Sequence, residues 1–165
     1  MNPEIIPAAV GEQRQTEPEG EQDRVSYLGF NLGSEVYGLP LDRLREVARV
    51  SSVRRVPGAP AGVAGLVNVR GEIMCALDVR AILGLPPETS PETSSHPMFL
   101  VALRGFGDPI GLLVDSIADI FALAPGDIHA PPASWPAERA ACFIGTTEVP
   151  AGLMGLLDLD RVTRR

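Results

Sequence analysis

The sequence predicts an all-β fold built from two similar small subdomains. Its 165 residues include 17 Gly and 16 Pro, which favours frequent turns and short elements over a bundle of long helices. Short runs of apolar residues alternate with polar residues at the two-residue period that is typical of strands. A pattern of such strands occurs twice along the chain, so the two halves are expected to fold alike.

Residues 1–24 differ in composition from the rest of the chain. They contain six acidic residues and two arginines, and from its eleventh residue onwards this stretch has no apolar residue. Such a segment buries too little surface to offset its ordering entropy, so we expect a disordered acidic tail before an ordered domain at 25–165. Ile5, Ile6 and Val10 leave a short docking segment open as an alternative, although a solvated tail is favoured.

A β-hairpin is predicted at the start of the ordered domain. The runs Val25–Leu32 and Val36–Leu41 have loose two-residue periodicity and flank a Gly-Ser-Glu turn. Asp42 follows the second run. We expect its carboxylate to cap a short helical turn that carries Leu44 and Val47 on one face.

The next segment predicts a second pair of strands and a short helix. A rigid Pro-rich loop precedes the strand at 62–69, and a turn leads into the strand at 73–77. Asp78 is expected to cap a helix at 79–83 that stops at a glycine. Residues 86–97, which are rich in Pro, Ser, Thr and Glu, predict a polar linker.

After the linker the same order of strands and turns begins again. Residues 99–105 match 27–33, residues 110–120 match 37–47, and residues 152–159 match 71–79. Two copies of about 70 residues are too few and too long for a solenoid. The short, Gly-rich strands favour two small barrels at roughly 25–90 and 97–165.

The charge pattern disfavours several classes of function. The net charge is −7, and all 14 basic residues are arginine. The absence of lysine excludes lysine chemistry, and the acidic balance disfavours binding to nucleic acid or to an anionic membrane. No apolar run approaches about 20 residues and no secretory signal is recognised, so we expect a cytoplasmic protein without direct membrane insertion.

No catalytic or metal-binding motif is recognised. Cys75 and Cys142 lie in apolar runs, and they are expected to be reduced thiols packed in the interior. His96 and His129 lie in loop-like stretches, at spacings that match neither a zinc site nor a catalytic motif. The sequence therefore favours a protein that is not an enzyme and that holds no metal or cofactor.

The turn between the second pair of strands is the best candidate for a binding surface. Glycines on both sides of Asn68 and Arg70 would let the backbone approach a partner closely. An exposed arginine at such a turn can pair with a carboxylate through two hydrogen bonds. Glu46 is the natural candidate to hold this guanidinium. The Arg70–Glu46 pair is either an internal structural contact, a binding feature, or both.

These residues resemble the signature of the CheW family of chemotaxis coupling proteins. The stretch Val56–Ile73 is similar to the family's pattern, in which a Pro-Gly-Ala-Pro loop precedes an Asn-x-Arg-Gly turn. Further family landmarks are matched at 30–39, 44–47, 78–80, 111–120 and 152–160. The resemblance implies a CheW-like fold of two small five-stranded β-barrels with short helices around a shared core.

The resemblance also implies a function. It suggests a non-enzymatic adaptor that joins the cytoplasmic tip helices of methyl-accepting chemoreceptors to the regulatory domain of the histidine kinase CheA, at receptor arrays on the inner membrane. That kinase domain is built like CheW, so the two can alternate in rings. The positions that match the family's receptor-binding groove are Leu44, Glu46, Gly65, Asn68, Arg70 and Gly71. The kinase contacts are placed at Val114 and Ile117.

The chain departs from the family pattern at several positions. Cys75 stands where the family usually has Pro, and Ser116 stands where a basic residue is common. A C-terminal helix found in many relatives is expected to be short or missing. Two alternatives stay open beside the adaptor. One is a specialised scaffold that binds only receptor or only kinase in a motility or non-chemotactic pathway. The other is an enzyme or small-molecule sensor that uses the groove between the barrels.

Overall fold

The computed structural model describes residues 23–87 and 98–164. The predicted acidic tail, except its last two residues, lies outside the described residues. Most of the predicted polar linker, with His96, lies outside them as well. Among the described residues, no helix has both the length and the apolar character needed to cross a membrane.

Short strands dominate the described residues. The first half comprises β1 (Val25–Leu32), β2 (Glu35–Pro40), β3 (Leu44–Val50), β4 (Val63–Val69), β5 (Glu72–Asp78) and α1 (Val79–Ile82). The second half comprises β6 (Met98–Leu103), β7 (Ile110–Val114), β8 (Ser116–Leu123), α2 (Ala137–Ala140), β9 (Phe143–Val149), β10 (Gly152–Leu157) and α3 (Leu159–Val162). Single 3-10 turns lie at Leu41–Arg43 and Pro125–Asp127.

These strands form two five-stranded sheets. Sheet A has the order β8-β1-β2-β10-β9, and sheet B has the order β3-β6-β7-β5-β4. Neighbouring strands are antiparallel except for the parallel pairs β2–β10 and β5–β7. The predicted all-β class with two five-stranded units and short helices is confirmed.

Each sheet takes strands from both halves of the sequence. β1 and β2 pair with β8 and β10, whereas β6 and β7 pair with β3 and β5. The chain passes from sheet A to sheet B between β2 and β3, and it returns between β7 and β8. The predicted division into 25–90 and 97–165 therefore describes the repeat in the sequence but does not separate the two sheets.

Each sheet is also bridged from one edge towards the other. Beyond the end of β3, Arg54 exchanges two backbone hydrogen bonds of 2.8 Å with Leu66 of β4. Beyond the end of β8, His129 exchanges two bonds of the same length with Thr146 of β9. We call these two contacts the closing bridges, because each one curls its sheet towards a barrel.

A shared apolar core lies between the sheets. It includes Leu39 of β2 and Leu112 of β7, both fully buried, together with residues of the other central strands. Two smaller apolar clusters each consist mainly of residues from a single sheet. One lies around Met74 in sheet B and the other around Met154 in sheet A. Because the largest cluster joins both sheets, neither sheet buries its apolar residues without the other.

The segment after β2 differs from the prediction. Leu44 and Val47 lie on strand β3 rather than on a helical turn, and Asp42 makes no capping hydrogen bond in the 3-10 turn. Val47 pairs with Val101 of β6. This strand pairing of β-branched residues outweighs the weak helical signal of the local sequence.

The short helices after β5 and β10 are capped alike. Asp78 accepts a hydrogen bond from the backbone N–H of Ala81 at the start of α1, as the sequence predicts. Asp158 accepts one from the backbone N–H of Arg161 at the start of α3. An acceptor at this position pairs one of the free N–H groups of the first turn.

Two ion pairs of opposite polarity join these helices to the points where the chain changes sheet. In α1, Arg80 donates a hydrogen bond to Asp115, the last residue before β8. In α3, the carboxylate of Asp160 lies 3.4 Å from Arg43, the last residue before β3. The two pairs occupy matching places in the two halves, with the acid and the base exchanged.

Candidate functional site

The turn between β4 and β5 holds most of the residues for which a binding role is predicted. Arg70 and Gly71 occupy its two central positions with φ angles of 52° and 86°. Such left-handed angles are those of a tight hairpin turn, and they are unusual for a non-glycine residue such as arginine. The side-chain oxygen of Asn68 accepts a 2.8 Å hydrogen bond from the backbone N–H of Gly71. This bond stabilises the backbone conformation of the turn.

Two ion pairs fasten this turn to β3, the strand at the opposite edge of the curled sheet B. Nε of Arg70 lies 3.5 Å from Oε2 of Glu46, and Arg45 donates a 2.5 Å hydrogen bond to Glu72. The hydrogen bond from Arg45 lowers the pKa of the Glu72 carboxyl below its ordinary value, so this pair stays charged at neutral pH. The turn thus has a fixed position relative to the start of β3.

The Arg70–Glu46 pair is asymmetric in its exposure. The Arg70 side chain is 82% exposed, whereas that of Glu46 is only 22% exposed. Glu46 therefore anchors a guanidinium whose remaining N–H groups face solvent. An arginine held in this way can donate to a carboxylate on a partner without losing its internal contact.

A groove of about 520 Å³ runs beside the turn and the closing bridge of sheet B. We call it the β4–β5 groove, and its lining residues are Ser52, Arg54, Leu66, Val67, Asn68 and Ile73. Leu66 and Ile73 are 36% and 54% exposed, which is high for large apolar side chains. The groove therefore combines apolar surface with one guanidinium.

The predicted receptor-binding residues divide into two groups in the structure. Glu46, Asn68, Arg70 and Gly71 meet at the β4–β5 turn, and half-buried Leu44 lies two residues before Glu46 on β3.

Gly65 lies elsewhere. It is buried on β4 next to the closing bridge, where a Cβ atom would overlap the Arg54 carbonyl oxygen. The need for glycine at this position is therefore structural, because the chain closes the sheet against its backbone.

The two residues predicted to contact the kinase are placed differently. Val114 is 1% exposed and packs in the shared core, so its side chain offers little surface to a partner, and a kinase contact there stays a prediction. Ile117 is half-buried on β8, the edge strand of sheet A, where it pairs with Phe30. Ile117 as a kinase contact stays a prediction.

An aromatic cluster on sheet A has a structural role. Tyr37 donates a 2.5 Å hydrogen bond to Glu35 and accepts one of 3.1 Å from Arg139. Arg139 also stacks on Trp135 at 4.7 Å from the ring centroid, and Trp135 packs against Phe143. Burial and the bond to Glu35 raise the pKa of the Tyr37 phenol above its ordinary value. These contacts pin the segment around α2 onto the sheet.

Residues 23–87 and 98–164 contain no group of three His, Cys, Asp or Glu side chains placed to hold a metal ion. Cys75 and Cys142 are not joined in a disulfide, and both are of intermediate burial rather than fully interior as predicted. Burial raises the pKa of the Cys75 thiol, which lowers its reactivity at neutral pH.

The sequence model of the CheW-like domain family matches residues 26–165. The chain belongs to the CheW family. It is 31% identical over 110 residues to the chemotaxis protein CheW of Treponema pallidum, and the match covers 67% of this chain and 65% of that protein. It is 25% identical over 135 residues to the chemotaxis protein CheW of Rhizobium meliloti, with 82% and 84% covered.

A solved CheW structure has the same fold. The crystal structure of the scaffolding protein TtCheW from Thermoanaerobacter tengcongensis superimposes with a TM-score of 0.72, and it covers 86% of this chain and 89% of that one. The two sequences are 20% identical. The agreement extends over nearly the whole CheW-like domain, so the two-sheet architecture described above is that of the family.

Sequence reasoning missed two parts of this site. It did not single out the exposed pair Leu66 and Ile73, nor the ion pair between Arg45 and Glu72. The exposure of Leu66 could have been predicted from the alternation along β4. Leu66 and Asn68 flank buried Val67, so their side chains point to the opposite, exposed face of the strand. No local pattern indicates the second, since its partners are 27 positions apart.

Proposed function

We propose that this CheW-family chain is a non-enzymatic adaptor that couples methyl-accepting chemoreceptors to the regulatory domain of the histidine kinase CheA. The protein acts in the cytoplasm, where it is recruited to receptor arrays at the inner membrane. The family membership supports a scaffold in chemotaxis. The identity of the two partners is the part that needs testing.

The observation that carries the proposal is the exposed Arg70 guanidinium held by Glu46 at a distance of 3.5 Å. It stands at one end of a surface that also offers exposed apolar side chains at Leu66 and Ile73. An amphipathic helix needs both features, because its apolar face supplies affinity and its charged residues fix its register. A receptor tip helix with a carboxylate beside an apolar stripe fits this surface.

An adaptor transmits a signal only if it binds the two receptor states with different free energies. The β4–β5 turn suits this requirement, since two ion pairs fix it to β3 and its backbone has little freedom. A small displacement of a receptor helix would therefore change the Arg70 contact rather than be absorbed by the turn.

The kinase-binding surface is proposed to include Ile117 and the exposed part of β8. This strand forms the edge of sheet A, whereas the receptor site lies on sheet B. Placing the two partners on different sheets leaves both surfaces accessible at once. It would also let CheW-like units alternate with the CheW-like domain of the kinase in rings.

The direct test is co-sedimentation of this protein with receptor-containing membranes and with CheA, each partner also being tested alone. Arg70→Ala should weaken receptor binding and receptor-dependent kinase activation while keeping the native unfolding temperature. Arg24→Ala is the matched control, because Arg24 is also an exposed arginine in a surface ion pair, with Asp127 at 3.7 Å. It should bind as the unaltered protein does.

The outcomes separate the possible functions. Binding of both partners with loss only in Arg70→Ala supports the full coupling role. Binding of one partner alone would replace it with the specialised scaffold. Unchanged receptor binding in Arg70→Ala would remove the β4–β5 turn from the receptor site.

A further inference from the structure

Many arginines of this acidic protein are concentrated in one stretch of the sequence, which includes strands β3 and β4 of sheet B. Residues 43–70 contain six arginines and one acid, a net charge of +5 in a chain whose total is −7. Residues 1–22 contain five acids and one arginine, a net charge of −4. The two segments are thus strongly complementary in charge.

The basic charge on sheet B is largely accessible. Arg45, Arg49, Arg54, Arg55 and Arg70 are all exposed. Arg45 and Arg70 have carboxylate partners, whereas Arg54 and Arg55 form no ion pair with any acid in the described ranges. Two consecutive exposed arginines without an internal carboxylate partner leave their charge available to attract an acidic segment.

One of these unpaired arginines lies in the β4–β5 groove. Arg54 lines it together with the exposed apolar side chains of Leu66 and Ile73. The chemistry of the groove therefore calls for an occupant that carries apolar side chains next to a carboxylate. A purely acidic or a purely apolar segment would satisfy only half of it.

The start of the chain has this composition. Glu4 directly precedes Ile5 and Ile6, and in residues 1–22 no other pair of large apolar side chains is adjacent. The chain enters the fold at β1, where Arg24 donates a hydrogen bond to the carbonyl of Ala122. A segment of 22 residues spans up to about 70 Å when extended, far more than the radius of gyration of about 14 Å for a domain of this size.

We propose that residues 1–22 bind within the same molecule to the β4–β5 groove, with Ile5 and Ile6 against Leu66 and Ile73 and with Glu4 at Arg54. The groove adjoins the Arg70 turn, so the bound segment competes with the receptor helix. The competition rests on the proposed function. The intramolecular contact does not, and it is tested separately.

The contact is tested by NMR on the full-length chain, through the backbone amide shifts of the unaltered protein and of the double variant Ile5→Ser, Ile6→Ser. We expect the amides of Leu66, Asn68 and Ile73 to shift between the two. Leu153, an exposed residue of sheet A, should not shift. The unaltered protein should approach the spectrum of the double variant as salt is raised, because screening weakens the contact between Glu4 and Arg54.

A second pair of variants tests the groove itself. Relative to the unaltered protein, Arg54→Ala should move the amide signals of Leu66 and Ile73 in the same direction as the double variant does. Arg104→Ala is the control, since Arg104 is exposed and lies beside the first residue of β3, at the far end of that strand from Arg54. Equal unfolding temperatures for these variants would establish that the shifts report the contact and not the fold.

Three results would overturn the proposal. Unchanged groove amides in the double variant would show that the segment does not bind there. Shifts that grow with protein concentration would assign the groove to the segment of a second molecule. Equal shifts around all exposed arginines would indicate unspecific charge attraction.

The competition has its own readout. The double variant should bind receptor membranes about two- to tenfold more tightly, because a tethered competitor acts at an effective concentration near millimolar. Groove shifts without any change in receptor affinity would keep the contact and reject the competition. Loss of receptor binding in both proteins would reject the proposed function alone.

Discussion

Gly65 and Gly145 occupy matching positions beside the two closing bridges. A Cβ atom at Gly65 would overlap the carbonyl oxygen of Arg54, and one at Gly145 would lie 2.8 Å from the carbonyl oxygen of His129. Each sheet thus closes by bringing a returning strand against a glycine of its own edge strand. The repeat found in the sequence extends to the way in which both sheets are closed.

Alanine at Gly65 should therefore destabilise the fold. The added Cβ collides with backbone, which cannot move aside as a side chain can, and the φ angle of 150° lies outside the ordinary range of alanine. We expect Gly65→Ala to lower the free energy of unfolding by about 2–4 kcal/mol, measured by urea denaturation.

The matched changes distinguish closure from partner binding. Gly145→Ala should cost less, because its φ is ordinary and one of its close neighbours is the side chain of Ile128. Gly126→Ala has open space around it and should be neutral. Full stability of Gly65→Ala together with lost receptor binding would instead favour a direct receptor contact at this position.

Two substitutions at Arg70 separate its charge from its backbone. Arg70→Ala should weaken receptor binding by about 1–3 kcal/mol, as expected for a lost charge-assisted hydrogen bond. Arg70→Gly removes the same guanidinium but suits the φ of 52°, so it should bind receptor equally weakly while unfolding at an equal or higher temperature.

The measurements are sedimentation binding curves and thermal unfolding of the same samples. The ion pair with Glu46 is mostly exposed on the arginine side, and such pairs contribute about 0–1 kcal/mol to stability. A large fall in unfolding temperature in both variants would mean that Arg70 acts inside the fold.

The two junction ion pairs should differ in their contribution to stability. Asp115 accepts from Arg80 and also from the backbone N–H of Gly33 at 2.6 Å, and both side chains are largely shielded from solvent. Asp115→Ala should cost about 2–3 kcal/mol, because it leaves two donors unpaired. Asp160→Ala, which removes a longer and more exposed pair, should cost less than about 1 kcal/mol.

Urea denaturation of the two alanine variants checks this difference. Similar losses in both would contradict the argument that burial and the second hydrogen bond make the Asp115 contact the stronger one.

The stability of the protein should fall at alkaline pH. Burial, strengthened by the hydrogen bond to Glu35, raises the pKa of Tyr37 above its ordinary value of 10.0. Burial likewise raises the pKa of Tyr27. Above about pH 10 the unfolded chain releases phenol protons that the folded chain still holds. The contribution of these phenols to the free energy of unfolding is therefore complete below about pH 10 and is lost as pH rises beyond it.

Ultraviolet titration of tyrosine and urea midpoints at about pH 8 and about pH 11 test this sign. Tyr37→Phe removes the contribution of one phenol and should lose less stability between the two pH values than the unaltered protein. Glu35→Gln should bring the titration of Tyr37 closer to its ordinary value. Ionisation of both phenols at their ordinary pKa in the folded chain would contradict the burial argument.

The sequence predicts most of the elements because their signals are local. The hairpin of β1 and β2, the strands β4 and β5 and the cap at Asp78 all follow from alternation and capping within a few residues. The prediction of a helical turn carrying Leu44 and Val47 was wrong because it, too, depended on a local signal. Its helical signal was local, whereas the pairing of Val47 with Val101 is a long-range contact that local patterns do not contain.

The candidate site shows the same limit. The residues of the β4–β5 turn were predicted because the motif is contiguous, and their internal contact with Glu46 was proposed from chemistry alone. The burial of Val114 is not predicted, because a strand residue before an acid gives no sign of which side of the sheet it faces. The burial of Gly65 depends on Arg54 returning across the sheet, which no spacing in the sequence reveals.

The interleaving of the sheets sets the order in which the fold is completed during synthesis. All five strands of sheet B lie between Leu44 and Val114, whereas sheet A begins at Val25 and is complete only at Leu157. During synthesis on the ribosome, β1 and β2 emerge first. Their outer pairing partners, β8 for β1 and β10 for β2, are made only later. Sheet B is therefore expected to assemble while the first hairpin still has both of its edges open, because β8 and β10, which cover those edges, are made only after the strands of sheet B.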